Sequence, residues 1–329
     1  MTPAASVFDG KVVLVTGGTG SFGNRFIERI IRDHNPRKVV VFSRDELKQS
    51  QMAERIKDPR VRYLLGDIRD AGRVQRAFSG VDIVVHAAAL KQVPTLEYNP
   101  FEAVQTNVIG AENIIDAAVD QGVSKVVALS TDKAVNPVNL YGATKLCMEK
   151  LFISGNHYAA GTDMRFSVVR YGNVMGSRGS VIPLYLQKRS TGVLPLTDER
   201  MTRFWITLDQ GVDLVLAAAE TMKGGEVFVP KIPSMKVVDL AKVIAPDCRL
   251  EVIGIRPGEK IHEVLITEDE APRTIDAGEF YVVTPAFNWW APANWNGGRK
   301  LPRDFRYSSD TNDRWLKPDE LAAMVKGLS

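Results

Sequence analysis

Cysteine is nearly absent from this chain: Cys147 and Cys248 are the only two among 329 residues. Two thiols cannot build a disulfide framework, so the fold has to rest on a buried apolar core. Cys147 falls on an expected helix and reads as a small buried hydrophobe. Histidine is scarce as well. His34, His86, His157 and His262 lack the short spacings that seat two ligands on one ion, so no metal is expected. Long apolar runs are missing, and the N-terminal MTPAASVFDGKVVLV has no basic region followed by an apolar stretch and a small-residue cleavage site. A soluble, cytoplasmic protein without a membrane partner is expected. Neither charge sign dominates: 42 basic against 39 acidic residues leave a net charge of +3, with no dense basic run interleaved with aromatics. A nucleic-acid partner is not expected.

What is present is a rhythm of strands and helices. Lys11–Thr16 (KVVLVT) is a β-branched run, followed at once by Gly17, Gly18, Thr19, Gly20, Ser21, Phe22 and Gly23 and by an amphipathic segment to about Asp33. The glycines fall as G-x-x-G-x-x-G, a variant of the dinucleotide fingerprint. They permit a tight turn, close approach to a pyrophosphate and packing of the helix on the strand. The next strand, Lys38–Phe42, ends in Ser43, Arg44 and Asp45, where the adenine ribose is read in this fold. Arg44 can pair with the 2′-phosphate of NADP, and NADP is the expected cofactor. Arg44 could also be merely solvated, while Asp45 caps a helix running to Ile56.

A third strand, Val61–Leu65, leads to Asp67, which either accepts from the adenine amino group or caps the helix ending near Phe78. The fourth, Asp82–His86, runs into Ala87, Ala88 and Ala89, small enough to let a cofactor lie against the backbone. Lys91 beyond them meets a phosphate or sugar, or is simply exposed. One long helix is expected over Pro100–Gln121, with Asn107 bracing a neighbouring loop. Val123–Leu129 and Arg165–Arg170 supply the fifth and sixth strands. The alternation predicts a Rossmann-like, doubly wound parallel α/β sheet. The pattern breaks over 176–203 and resumes with a helix at about Asp209–Met222. The expected division is a dinucleotide-binding domain over 1–172 with a return segment at about 204–229, and a smaller α+β substrate domain over 173–203 and 230–329. Pro285–Arg299 holds three of the five tryptophans, and no function is assigned to it.

The chemistry concentrates in LSTDKAVNPVNLYGATKLCME, Leu129–Glu149. Tyr141 and Lys145 lie four apart on an expected helix and share a face, so an ammonium can stabilise a tyrosinate. That pair suits hydride chemistry. Upstream, Thr131, Asp132 and Lys133 follow a strand and bring an acid and a potential base to the mouth of the sheet.

Through Gly17–Gly23, Tyr141 and Lys145 the chain resembles the extended short-chain dehydrogenases/reductases. FSRDELKQ, GDIRD, HAAALKQVP, LSTDKAVNP, YGATK, RYGNVMGSRGSVIP, MTRFWIT, RPGEKIHE and YSSDTND narrow the resemblance. Together they look like the soluble UDP-N-acetylglucosamine 4,6-dehydratases that invert carbon 5 and open pseudaminic acid synthesis. The most specific element is Asp132-Lys133 with only seven residues before Tyr141. The resemblance further assigns Lys48, Ile68, Leu129, Ser130 and Val174 to the cofactor. It gives Asn173, Arg178, Val181, Thr197, Arg256 and Glu259 to the nucleotide sugar, with Lys91 shared. It also implies that Thr131 bonds the sugar's 4-hydroxyl, that the substrate is UDP-N-acetylglucosamine, and that the chain is a homo-oligomer, a hexamer being one form it could take.

Residue chemistry fits oxidation at carbon 4, loss of water across carbons 5 and 6, and return of the hydride to carbon 6 with a proton added to the opposite face of carbon 5. Tyr141, with its phenol made more acidic by Lys145, takes the proton of the 4-hydroxyl as hydride leaves carbon 4. The ketone acidifies carbon 5, where Lys133 is the expected base and Asp132 the acid for the departing 6-hydroxyl. Lowering a lysine from about 10.4 to near 7 corresponds to roughly 4 to 5 kcal/mol, so burial is expected to dominate at Lys133. Asp132 and Lys133, as neighbours in an extended segment, are expected to point apart. Lys133 could instead serve only to bind substrate, and Arg256 and Glu259 could pair with each other.

Overall fold

The computed structural model of the chain describes residues 6–176, 181–287, 295 and 298–326. The first half alternates β1 (Val12–Thr16), α1 (Ser21–Asp33), β2 (Lys38–Ser43), α2 (Glu46–Arg55), β3 (Val61–Leu65), α3 (Ala71–Phe78) and β4 (Ile83–His86). Short helices α4 (Val93–Tyr98) and α5 (Pro100–Val104) follow, then a π-helical turn at Gln105–Ile109 and α6 (Gly110–Gln121). Next come β5 (Lys125–Thr131), a 3₁₀ turn over Asp132–Ala134, α7 (Leu140–Tyr158) and β6 (Arg165–Tyr171). The middle of the chain holds β7 (Asn173–Val174), α8 (Val181–Lys188), β8 (Val193–Leu196), β9 (Thr202–Ile206), α9 (Leu208–Thr221), β10 (Val227–Pro230), β11 (Ser234–Lys236), α10 (Val237–Ile244) and β12 (Arg249–Val252). The last part adds β13 (Val264–Ile266), β14 (Thr274–Asp276), β15 (Phe280–Val283), β16 (Arg299–Lys300), β17 (Tyr307–Ser308) and α11 (Pro318–Lys326).

The expected doubly wound sheet forms. Its parallel part runs β3-β2-β1-β4-β5-β6-β10, and the order of strands reverses between β1 and β4. Every residue of β1 and β4 is buried, because helices cover both faces and no polar alternation is needed. Crossover helices place all the parallel strand ends on one edge, and a crevice opens there at the reversal. The site therefore has to be assembled from residues just beyond Thr16, Ser43, Leu65, His86, Thr131 and Tyr171.

Four local expectations are corrected. Residues 230–329 do not stay apart from the large sheet: β15 pairs antiparallel with β10, and β14 and β16 extend that edge. Their apolar residues, such as Val282 and Val283, complete the main core. The long helix over 100–121 is interrupted by the π-helical turn. This insertion swings Asn107 so that its Oδ1 accepts from Leu90 N and its Nδ2 donates to Leu90 O, both at 2.9 Å. Strand β5 continues past Leu129 to Thr131, pairing with β6 to its last residue. Cys147 is exposed on α7, because the buried face of that helix is taken by Thr144, Lys145, Met148 and Phe152.

The smaller unit packs α8, α10 and α11 around Tyr185, Leu194, Trp205, Met235 and Leu240. Its sheets are β11-β9-β7 and the parallel pair β12-β8. Most of Pro285–Arg299 lies outside the described residues. Trp295 belongs to the described part, donating to Glu226 Oε1 at 3.0 Å and packing edge-on against Phe228.

Candidate active site

A cleft of about 1160 Å³ runs along the carboxyl edge of the sheet and under the smaller unit. Its first wall is the glycine turn. Gly17 sits at φ +63, and a Cβ on it would meet Ala88 N at 2.8 Å, so the turn can lie directly on the end of β4 only without a side chain. Thr19, Gly20, Ser21, Phe22 and Gly23 line the wall, and Ala87 faces them. The N-terminal amides of α1 start at Gly20, which has no side-chain cap, so they are available to an anion.

At the end of β2, Ser43, Arg44, Asp45 and Lys48 line the same cleft. The Asp45 carboxylate caps α2, accepting from Lys48 N at 3.0 Å, and also ion-pairs with the Lys48 ammonium. It is thus engaged with its own helix. Arg44 is half exposed, with Nη1 3.6 Å from Asp67 Oδ2. Asp67 is not the cap of α3, a role that Asp70 fills; it accepts instead from Arg69 N and from the Arg69 guanidinium. Ile68 and Lys91 complete this side. Deeper in, Ser130 Oγ is buried with no partner, an orphaned polar atom beside Leu129 in the cleft wall. Glycine cradle, open helix start, basic strand end and orphaned hydroxyl together fit a dinucleotide.

The catalytic candidates converge at the end of β5. Thr131 Oγ1 accepts from Lys133 N at 3.3 Å and donates to Asp132 Oδ1 at 2.9 Å, which closes the 3₁₀ turn. The turn overturns the expectation that Asp132 and Lys133 point apart, because its backbone is no longer extended. Lys133 Nζ lies 3.0 Å from Asp132 Oδ1, 3.4 Å from Asn173 Oδ1 and 3.7 Å from Glu263 Oε1. Burial pulls the amine's pKa down, but the two carboxylates outweigh it and leave it above its ordinary value. In this resting arrangement Lys133 is therefore a held cation. Asp132 is fully buried behind the cleft wall, with Oδ2 unpartnered.

Helix α7 is capped by Asn139, whose Oδ1 accepts from Gly142 N and whose amide donates to Gly258 O, each at 2.8 Å. A Cβ on Gly142 would collide with Lys133 O, so this glycine lets the helix abut the 3₁₀ turn and sets Tyr141 beside Lys133. Burial raises the Tyr141 pKa; what opposes the rise is the Lys133 charge and a hydrogen bond with Thr131. The expected source of acidity, Lys145, is occupied otherwise. Its buried ammonium donates to Leu129 O at 2.7 Å and lies 2.9 Å from Met148 Sδ, and desolvation lowers its pKa to about 8 despite Glu149.

Asn173, Val174, Val181 and Thr197 line the remaining wall. Arg256 and Glu259 line it too, and they pair with each other at 2.6 Å, the alternative their spacing left open. Arg178 lies outside the described residues. Three cleft residues escaped the reading from sequence: Glu263, Arg203 and Lys260. Their signal was a charged residue against apolar strand positions, Arg203 within the fully buried TRFWI and Glu263 just before VLI. Charge in such places needs a partner.

Residues 13–285 match the family described as polysaccharide biosynthesis protein. The chain is 48% identical, over 97% of its length and 98% of the relative, to an inverting UDP-N-acetylglucosamine 4,6-dehydratase of Campylobacter jejuni. The chain belongs to the family of these inverting dehydratases. Within the same reach of similarity, a UDP-glucose 4-epimerase of Rickettsia canadensis is 44% identical over 84% of this chain and 83% of its own. An X-ray structure of Pen from Bacillus thuringiensis superposes with a TM-score of 0.91 at 37% identity, covering 98% of this chain and 100% of that one. A dehydratase of this family is an extended short-chain dehydrogenase/reductase, as the glycine turn of Gly17–Gly23 and the Tyr141–Lys145 pair led one to expect.

Proposed function

We propose that the chain catalyses NADP-dependent 4,6-dehydration of UDP-N-acetylglucosamine with inversion at carbon 5. The product is UDP-2-acetamido-2,6-dideoxy-β-L-arabino-hex-4-ulose, at the first step of pseudaminic acid synthesis. The observation that carries this is Lys133, bonded at 3.0 Å to the buried Asp132 behind it and set beside Tyr141 in one cleft. The near full-length similarity to an inverting dehydratase supports it.

The glycine turn from Gly17 to Gly23 with Arg44 would hold NADP, which when bound would supply a hydride acceptor and afterwards a hydride donor. Tyr141 takes the proton of the 4-hydroxyl, and Thr131, bonded to Tyr141, orients that hydroxyl. Once carbon 4 is a ketone, Lys133 removes the proton from carbon 5 and Asp132 protonates the 6-hydroxyl, which departs as water. The held cation and the required base are reconciled by counting protons. Asp132 carboxylate with Lys133 ammonium, and Asp132 acid with Lys133 amine, are tautomers joined by the 3.0 Å contact. In water the neutral form lies roughly 9 kcal/mol higher, from the reference gap of about 6.5 pKa units. Substrate that displaces water penalises both charges and narrows this gap. Asp132 Oδ2 is unpartnered but buried behind the cleft wall, so a small movement of the 3₁₀ turn has to bring it to the leaving hydroxyl. Return of the hydride to carbon 6, with a solvent-derived proton added to the opposite face of carbon 5, would complete the cycle and invert that centre.

Arg44 supports NADP over NAD, since the neighbouring Asp45 carboxylate is engaged by Lys48 and helix α2. The enzyme works in the cytoplasm as a homo-oligomer. Incubation with UDP-N-acetylglucosamine in heavy water, followed by product NMR, tests the reaction. A 6-deoxy-4-keto sugar with deuterium at carbon 5 and L-arabino configuration is expected. An unchanged 6-hydroxymethyl group would reduce the activity to 4-epimerisation, retained configuration would make it a retaining dehydratase, and tight NADP binding without turnover would leave a scaffold.

A further inference from the structure

Lys133 does not stand between Asp132 and the solvent alone. Glu263, 2% exposed and on the strand edge that precedes β13, turns Oε1 toward Lys133 Nζ at 3.7 Å and toward Arg203 Nε at 3.8 Å, and Oε2 toward Lys260 Nζ at 3.1 Å. Its backbone is fixed from both sides, Glu263 N donating to Ser309 Oγ and Glu263 O accepting from Ser309 N. The partners are fixed as well. Arg203 spends Nη1 on the carbonyls of Thr202 and Ile261 and Nη2 on that of Lys260, while Lys260 Nζ donates to Val135 O, just beyond the 3₁₀ turn. A carboxylate from the approach to β13 is thereby held rigidly against the lysine at the end of β5.

We propose that Glu263 is a positioning residue for the elimination: it fixes the Lys133 amine at the reacting edge and balances the cations around it. This rests on the dehydratase function set out above. The groups facing Lys133 are Asp132, Tyr141, Lys91, Arg203 and Glu263, with Lys260 on the far side of Glu263. With Glu263 present, four cations, Lys133, Lys91, Arg203 and Lys260, meet two carboxylates. Without it they meet one. The lysine would then lose its proton more easily but lose its anchor, because the shift that frees a base and the contact that aims it come from the same carboxylate.

The position also separates the two halves of the reaction. Among the described residues Glu263 has no hydrogen bond or ion pair to Tyr141 or Lys145, so oxidation at carbon 4 should not feel its loss. The test compares wild type, Glu263→Gln and Glu263→Asp in three measurements. These are appearance of reduced nicotinamide on mixing with UDP-N-acetylglucosamine, release of dehydrated product, and carbon 5 deuterium exchange across pH. Glu263→Gln should keep nicotinamide reduction within about twofold while slowing dehydration and exchange on the order of tenfold to a hundredfold. The alkaline-rising limb of dehydration should move to lower pH by about one unit, since a neighbouring anion is gone. Glu263→Asp should restore the limb and part of the rate. Equal loss of reduction and dehydration, or unchanged dehydration with an unmoved limb, overturns the proposal. Intact nicotinamide reduction shows that a variant is folded. Should wild type itself release no water, the underlying function fails and the proposal with it, an outcome distinct from a variant that behaves as wild type.

Discussion

Lys145 and Lys133 occupy two corners of one cleft and have been pushed in opposite directions. Lys145 is buried on α7 against a carbonyl and a thioether, and desolvation lowers its pKa to about 8. Lys133 is drawn up by Asp132 and Glu263. Lys145 is the more deeply buried, with the Lys133 side chain 26% exposed, but the sign at Lys133 is set by its carboxylate neighbours. A lysine meeting dipoles pays for its charge, and one meeting carboxylates is held in it. Each setting suits its half of the reaction. The redox corner needs a cation that can adjust beside a bound dinucleotide, and the elimination corner stores its proton in a pair that a hydrogen bond can rearrange.

The largest expected effect comes from removing the paired lysine. Lys133→Ala should depress dehydration and carbon 5 exchange about a thousandfold while nicotinamide reduction persists. Normal exchange in heavy water would reject Lys133 as the base and dissolve the contrast between the corners. Next in size, Lys145→Met should slow nicotinamide reduction on the order of a hundredfold. Stopped-flow absorbance checks this, and a variant that reduces its cofactor normally but fails to dehydrate would reverse the assignment of the two lysines.

A smaller effect belongs to cofactor choice alone. Arg44→Ala should weaken NADP about tenfold and NAD by less than about twofold, as read by calorimetric titration. Equal losses would remove the basis for preferring NADP. The smallest change is one of stability. Between about 8 and 10.5 the native chain carries Lys145 as neutral amine while the unfolded chain keeps its proton, so stability rises with pH through that window. Below about 8 the full burial cost is present. Lys145→Met should therefore stabilise the cofactor-free protein near about pH 7 by roughly 1 to 3 kcal/mol, a gain that vanishes toward about pH 10. Denaturant titrations at both pH values measure it, and a pH-independent difference would mean that Lys145 is not the strained lysine of the pair.

Much of the fold was legible because its signals are local. KVVLVT followed by glycines announces a strand, a turn and a helix, and the capping of α2 by Asp45 needs only the residues from Asp45 to Lys48. The alanines after β4 and the bracing role of Asn107 could likewise be read in place. The edge strands β14 to β16 could not, since their short, irregular segments carry no period strong enough to say which sheet they join. Asp67 resisted for a related reason: Asp70 stands three residues further on and wins the cap of α3.

By itself the sequence determined the parallel sheet, the glycine turn at its mouth, and the presence of Thr131, Asp132, Lys133, Tyr141 and Lys145 around the end of one strand. Hydrophobic period and turn chemistry act over a few residues, so they survive in a linear reading. Only the tertiary structure decided which charges those residues meet. Glu263 reaches Lys133 from the approach to β13, and Arg203 on β9 and Lys260 hold that carboxylate in place. A contact of 3 to 4 Å between such segments sets the sign of a lysine's shift, because Coulomb energy depends on distance in space and not along the chain.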